Sequence, residues 1–98
     1  MLTPLQQGIL SAVELLESGE VVSFGDIAAR AGRPSAARAA GSTLAAAGDT
    51  YPWWRVVYSD GHLPPCNPSL QAERLAEEGV ELAGFRVIHS PLGRFSNS

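Results

Sequence analysis

Leu5, Ile9, Val13 and Leu16 recur at intervals of three and four residues, the spacing that places side chains on one face of an α-helix. Thr3-Pro4-Leu5-Gln6 supplies the start of that helix: threonine caps, proline suits the first turn, and Gln6 completes a capping box. Gly19 can end it. A second, shorter helix is predicted over 25–31, burying Ile27, Ala28 and Ala31, with Gly32 closing it. A third opens at Pro34 or Ser35 and runs through an alanine-rich stretch to about Gly48. Short helix, glycine-containing turn and second helix make a helix-turn-helix.

Beyond Gly48 the pattern changes. Tyr51 to Tyr58 is an aromatic and β-branched run ended by the turn signal Ser59-Asp60-Gly61. His62 and Leu63 would begin the returning strand of a small hairpin, or wing. Pro64, Pro65 and Pro68 exclude regular hydrogen bonding in Leu63-Pro64-Pro65-Cys66-Asn67-Pro68, so this crossing is ordered and non-helical. Asn67 and Pro68 cap a helix to about Glu78, stopped by Gly79, with Leu70 and Leu75 facing inward. Phe85 to Ile88 reads as a strand, and Asn97-Ser98 as a frayed end. The expected fold is mainly α: one winged helix-turn-helix domain over 1–98 with a small β-hairpin wing.

Ninety-eight residues, 45% of them hydrophobic, fit a single domain with a modest core. No apolar run is long enough to span a bilayer and no charged-then-apolar signal layout opens the chain, so no membrane is expected. One cysteine, Cys66, cannot form an internal disulfide, and the chain reads as cytoplasmic. The net charge of −3 argues against a nonspecific nucleic-acid binder, yet the charge is unevenly spread. All seven basic residues are arginine, and Arg30, Arg33, Arg38 and Arg55 fall between Ile27 and Tyr58, a segment with Asp49 as its one acid. The first 26 residues carry Glu14, Glu17, Glu20 and Asp26 and no base. This allows a basic face without requiring one.

Candidate chemistry is sparse. In the third helix Ala36, Ala37, Ala39, Ala40 and Gly41 surround one long cation, Arg38. Small side chains let a helix backbone approach another surface closely, although taken alone the better reading is a helix packed tightly against its neighbours with Arg38 pointing to water. Trp53 and Trp54 cannot both alternate into the core of a strand, and a partly exposed indole can line a pocket or stack on a base. Cys66 is a nucleophile only if something lowers its pKa; no His or Lys other than His62 lies near it in sequence, so it reads as a spectator thiol. His62 and His89 lack metal-ligand spacing, so neither metal nor cofactor is expected.

Three blocks occur in order: Val21-Val22-Ser23-Phe24-Gly25-Asp26-Ile27-Ala28, Ala31-Gly32-Arg33-Pro34-Ser35-Ala36-Ala37-Arg38-Ala39-Ala40-Gly41, and Pro52-Trp53-Trp54-Arg55-Val56-Val57. Together they resemble the DNA-binding domain of the O6-alkylguanine-DNA alkyltransferases, from about Val21 to Val80. The active enzymes read Pro-Cys-His-Arg-Val in the last block. Tryptophan in place of that cysteine is the mark of the alkyltransferase-like proteins, and the match extends to Gln71 and Glu77-Glu78-Gly79-Val80.

The resemblance implies minor-groove binding through the helix-turn-helix and flipping of the lesion nucleotide into a pocket. Arg38 matches the arginine that fills the vacated stack. Ala36, Ala37, Ala39 and Gly41 match the small residues that permit close approach, and Arg33 and Ser35 lie where phosphate contacts are expected. Pro52, Trp53, Arg55 and Val56 match the pocket wall and its scaffold. Phe24 stands, in both the DNA-contact and pocket sets, where many members carry tyrosine. Trp53 occupies the place of the alkyl-accepting thiolate and Trp54 that of its activating histidine, while Glu78 matches the carboxylate of the same relay. An indole offers no soft nucleophile, so the resemblance implies no transfer chemistry. It implies instead a non-enzymatic sensor of O6-alkylguanine in double-stranded DNA, acting as a monomer and flagging the lesion for nucleotide excision repair. The chain departs from the pattern in its short span from Arg38 to Pro52, in Trp54 itself, and in a post-wing loop without arginine.

Overall fold

The computed structural model describes residues 1–96; the expected fraying of Asn97 and Ser98 lies outside the described residues. Helix α1, Pro4–Glu14, begins as the sequence requires. The Thr3 hydroxyl accepts from the Gln6 amide at 3.1 Å, and the Gln6 side chain accepts from the Thr3 amide at 2.9 Å. Its inward face carries Ile9, Leu10, Ala12 and Val13.

A strand absent from the expected elements follows. β1, Glu20–Ser23, leads directly into helix α2, Phe24–Arg30, through a second capping box between Ser23 and Asp26. Helix α3, Ala37–Ala47, starts later than expected, because Pro34 and Ser35 belong to the turn and Ala36 is the N-cap. Helices α2 and α3 form the predicted helix-turn-helix, packed on α1 around Ile9, Leu10, Val13, Ile27, Ala40 and Leu44.

The aromatic run is no strand for most of its length. Pro52 turns the chain, Trp53–Arg55 forms one 3-10 turn, and only Val56–Val57 (β2) extends. β2 pairs in parallel with β1, Val22 opposite Val56 and Ser23 opposite Val57; β5, Leu92–Gly93, pairs in parallel with the same strand. After the turn at Ser59-Asp60-Gly61 the chain folds back only as far as Tyr58, whose amide donates to the His62 carbonyl at 3.0 Å, and no strand forms against the rest of the aromatic run. Gly61 and Leu63 pair instead with the tail: the Val87 amide donates to the Gly61 carbonyl at 2.8 Å and the Leu63 amide to the Phe85 carbonyl at 2.9 Å. That approach requires glycine at 61, where φ is +94° and an added Cβ would stand 2.6 Å from the Val87 oxygen.

The small β wing is therefore the antiparallel hairpin β3–β4, Glu81–Ala83 with Arg86–His89. Helix α4, Pro68–Glu77, precedes it and buries Gln71 and Leu75, with Leu70 half-buried. A second core cluster joins Val21, Val57, Leu63, Leu75, Val80 and Val87. Among the described residues no helix is long and apolar enough to cross a membrane.

Candidate nucleic-acid interface

The outer face of α3 is built from the residues its core-facing side rejects. Ala40, Thr43 and Leu44 are buried, which turns Ala37, Arg38, Gly41, Ser42 and Ala45 outward. Opposite them runs the crossing Pro64-Pro65-Cys66-Asn67. Between the two lies an open cleft of about 820 Å3, walled by Trp53 and Phe24 and floored by Val56 and Gln71. Nothing inside the protein demands glycine at 41, because an added Cβ would meet only the Phe24 ring, at 3.9 Å. The missing side chain keeps the cleft open. No side chain caps the start of α3 at Ala36, so the amides of its first turn stand free of a cap.

The arginines divide sharply. Arg30 pairs with Glu20, Arg55 with Glu78, Arg74 with Asp49 and Arg94 with Asp26, while Arg86 donates to the Asp60 carbonyl. Among the described residues Arg33 and Arg38 have no such partner, and both are exposed. They flank the turn that leads into α3. The charge segregation in the sequence thus resolves to two uncommitted cations, Arg38 in the cleft lining and Arg33 exposed ahead of α3.

The adjacent tryptophans part company. Trp53 lines the cleft and packs against the α1–α3 core, and its indole Nε1 donates to Asp49 Oδ1 at 2.7 Å. Trp54 packs on the second cluster, its ring edge-on to Trp53 at 87°. Its Nε1 donates to Glu78 Oε2 at 2.9 Å. The Arg74 guanidinium lies over both rings, 5.6 Å and 4.7 Å from their centroids.

Glu78 is a hub. Besides Trp54 it accepts from Arg55 Nε and Nη2, at 3.0 and 2.8 Å, and from the Gly19 amide at 2.8 Å. Burial works against its ionised form, but the hydrogen bonds from Arg55, Gly19 and Trp54 outweigh burial and hold the carboxyl below its ordinary range. Arg55 also donates to the Leu16 carbonyl at 2.8 Å, tying the end of α1 to the same hub.

The residues singled out from sequence therefore separate. Phe24, Ala37, Arg38, Gly41, Trp53 and Val56 surround one cleft. Arg33 and Ser35 stand exposed in the turn, and Ala36 is the helix cap. Ala39 packs against the α1–α3 core and does not line the cleft. Pro52 and Arg55 do not line it either: Pro52 caps the 3-10 turn, and the Arg55 guanidinium faces Glu78 and Leu16. Sequence reasoning missed Asp49, Tyr58 and Gln71 as lining residues. Gln71 is 1% exposed, and its Nε2 donates to the carbonyls of Trp54 and Val56 at 3.1 and 3.0 Å, fixing the segment that carries both tryptophans. Besides its place in the family match, a glutamine beside the inward-facing Leu70 on α4 is the signal the sequence carries for it.

Residues 4–80 match the family described as the 6-O-methylguanine DNA methyltransferase, DNA binding domain. The chain belongs to this family. It is an alkyltransferase-like member. The DNA base-flipping protein of Escherichia coli (strain K12) is 39% identical over 82 residues, covering 80% of this chain and 64% of that protein. The chain thus spans less than two thirds of that relative's length. The DNA base-flipping protein of Vibrio parahaemolyticus is 33% identical, covering 76% of this chain and 79% of its own. Among solved structures, S. pombe Atl1 in complex with damaged DNA containing O6-carboxymethylguanine is similar, with a TM-score of 0.74, 32% identity, and 85% and 83% of the two chains covered.

Proposed function

We propose that this protein is a non-enzymatic sensor that binds O6-alkylguanine in double-stranded DNA from the minor groove and flips the lesion nucleotide into the α3 cleft. The observation that carries the proposal is that Arg38, free of any ion pair among the described residues, and the indole of Trp53 line the same open cleft. A volume of about 820 Å3 falls within the usual span of ligand pockets. Ala37, Gly41 and Ala45 bring the α3 backbone close to the groove, Arg33 and the uncapped first turn meet phosphates, and Arg38 fills the space the base leaves. Extrusion of a paired base costs a few kcal/mol, which the arginine wedge and stacking on Trp53 offset.

No alkyl transfer follows. An indole supplies no thiolate, and the Glu78 carboxylate is committed to Trp54, Arg55 and Gly19. The bound complex marks the lesion for nucleotide excision repair; a monomer in the cytoplasm suffices for that role.

The test is equilibrium binding to matched duplexes with guanine or O6-methylguanine at one stated salt concentration, since phosphate contacts make affinity salt-dependent. The lesion duplex binds tighter, and Arg38→Ala removes most of that preference. Equal affinities overturn the proposal in favour of a winged-helix DNA-binding protein without lesion preference. Mass spectrometry of the protein after incubation with methylated DNA checks the absence of transfer, because a methyl adduct on Cys66 would make it an enzyme.

A further inference from the structure

Among the described residues lining the cleft, Arg38 is the one base and Asp49 the one acid. The Asp49 Oδ1 accepts a hydrogen bond from the Trp53 indole N–H at 2.7 Å, so the carboxylate sits at the edge of the wall against which a flipped base would rest. The side chain is 72% exposed and projects where the 3-10 turn after α3 opens to the cleft. Arg74 stands 3.5 Å from the same oxygen, but it approaches from α4 and does not line the cleft. A solvent-exposed pair of this kind neutralises its partner only in part.

We propose that Asp49 sets a charge preference in the cleft, admitting neutral O6-alkyl groups and disfavouring those that carry a carboxylate. This rests on the reading of the cleft as a lesion pocket. In that reading the alkyl group points at Trp53, which stands in the place of the alkyl acceptor. The substituent then comes to rest beside Asp49 Oδ1. Methyl, ethyl and hydroxyethyl groups meet an apolar ring and one hydrogen-bonded oxygen. A carboxymethyl group meets a like charge. Arg38 does not relieve that repulsion, because in the bound complex its guanidinium has left the cleft for the base stack. The cleft has room for such a group, as the complex of S. pombe Atl1 with O6-carboxymethylguanine is consistent with, so charge and not size is what this residue acts on.

The experiment compares duplexes carrying O6-carboxymethylguanine with duplexes carrying its neutral amide, O6-carbamoylmethylguanine, which has nearly the same shape. The full chain binds the amide about tenfold tighter, the order expected for two like charges a few ångströms apart in a partly wet site. Asp49→Asn keeps an oxygen for the Trp53 indole and removes the charge; it brings the ratio close to unity by strengthening carboxymethyl binding. Asp49→Ser is the second variant and gives the same result. Equal binding of acid and amide by the unmodified protein overturns the proposal, as does a ratio that both variants leave unchanged. If instead none of the O6-alkyl duplexes binds better than guanine, the lesion-pocket reading falls along with it, so the two failures are told apart by the guanine control.

Discussion

Trp53 and Trp54 are neighbours in sequence with the same side chain, yet they do opposite things. Both indole N–H groups end on carboxylates, Asp49 for one and Glu78 for the other. The carboxylates decide the difference. Asp49 is largely exposed with one further ionic partner, so Trp53 is held lightly with a flank open to the cleft. The Glu78 side chain is 12% exposed and gathers donors from the 3-10 turn and the loop before β1, so Trp54 is locked into the second core. A single 3-10 turn after Pro52 produces the split, because consecutive side chains on a tight turn cannot share a face.

The largest expected effect lies on the Glu78 side. Glu78→Ala leaves Arg55, the Trp54 N–H and the Gly19 amide without their acceptor, and breaking this part-buried ion pair costs about 3 kcal/mol, the lower end of what a fully buried pair loses. Urea denaturation should read the loss at neutral pH. The pH dependence has a fixed sign. The carboxyl is lowered in the folded state from an ordinary value of 4.5, so its contribution is complete above that value and is lost as pH falls through the folded pKa. Stability of the unmodified protein should therefore be level above about pH 5 and fall in acid, while Glu78→Gln starts lower and has a shallower acid limb. An acid limb of unchanged steepness in Glu78→Gln would mean that the hub does not anchor Trp54 electrostatically.

Next come the indoles themselves. Trp54→Ala empties a site packed on the second core cluster and should cost about 2–4 kcal/mol of stability, with little change in the lesion affinity of the molecules that remain folded. Trp53→Ala should do the reverse. It loses the stacking wall, worth about 1–3 kcal/mol of DNA binding, and less stability than Trp54→Ala. Thermal melts and lesion-duplex titrations on the two variants check both halves. Similar profiles for the pair would erase the distinction.

How much of this division was legible in advance follows from what each element depends on. The capping box at Thr3 and Gln6 and the Ile9–Val13 stripe are local, and both stand where the sequence put them. β1 was invisible because four residues give no period of their own; its pairing comes from Val56–Val57 and Leu92–Gly93, far along the chain. The wing was expected one segment too early for a related reason. Ser59-Asp60-Gly61 does turn, but the strand it returns to is chosen by the close approach of Gly61 to Val87, a tertiary contact. Within the cleft, Arg38, Gly41 and Trp53 were legible because their residue types are unusual where they occur. Asp49 was not, since an acid after a helix end looks like a solvated turn until the indole it holds is in place. Arg55 looked like part of the pocket for the opposite reason: nothing in the sequence joins it to Glu78 across 23 residues.

Arg74 touches both indoles and so offers the finest probe of the contrast between them. Its guanidinium lies closer to Trp54 than to Trp53, and its side chain is 30% exposed. A cation over an aromatic face at such a site contributes about 0.5–1 kcal/mol. Arg74→Ala should lower stability by that amount and weaken lesion binding only a few-fold, because Asp49 still holds the Trp53 N–H when Arg74 is gone. Arg74→Lys should recover part of the stability, since an ammonium keeps the charge but stacks less well than a planar guanidinium. If Arg74→Ala instead destabilised the protein as much as Trp54→Ala does, the two rings would be one cooperative unit clamped by the arginine. The lightly held wall and the locked core would then be parts of a single structure, and Trp53 could not move without Trp54.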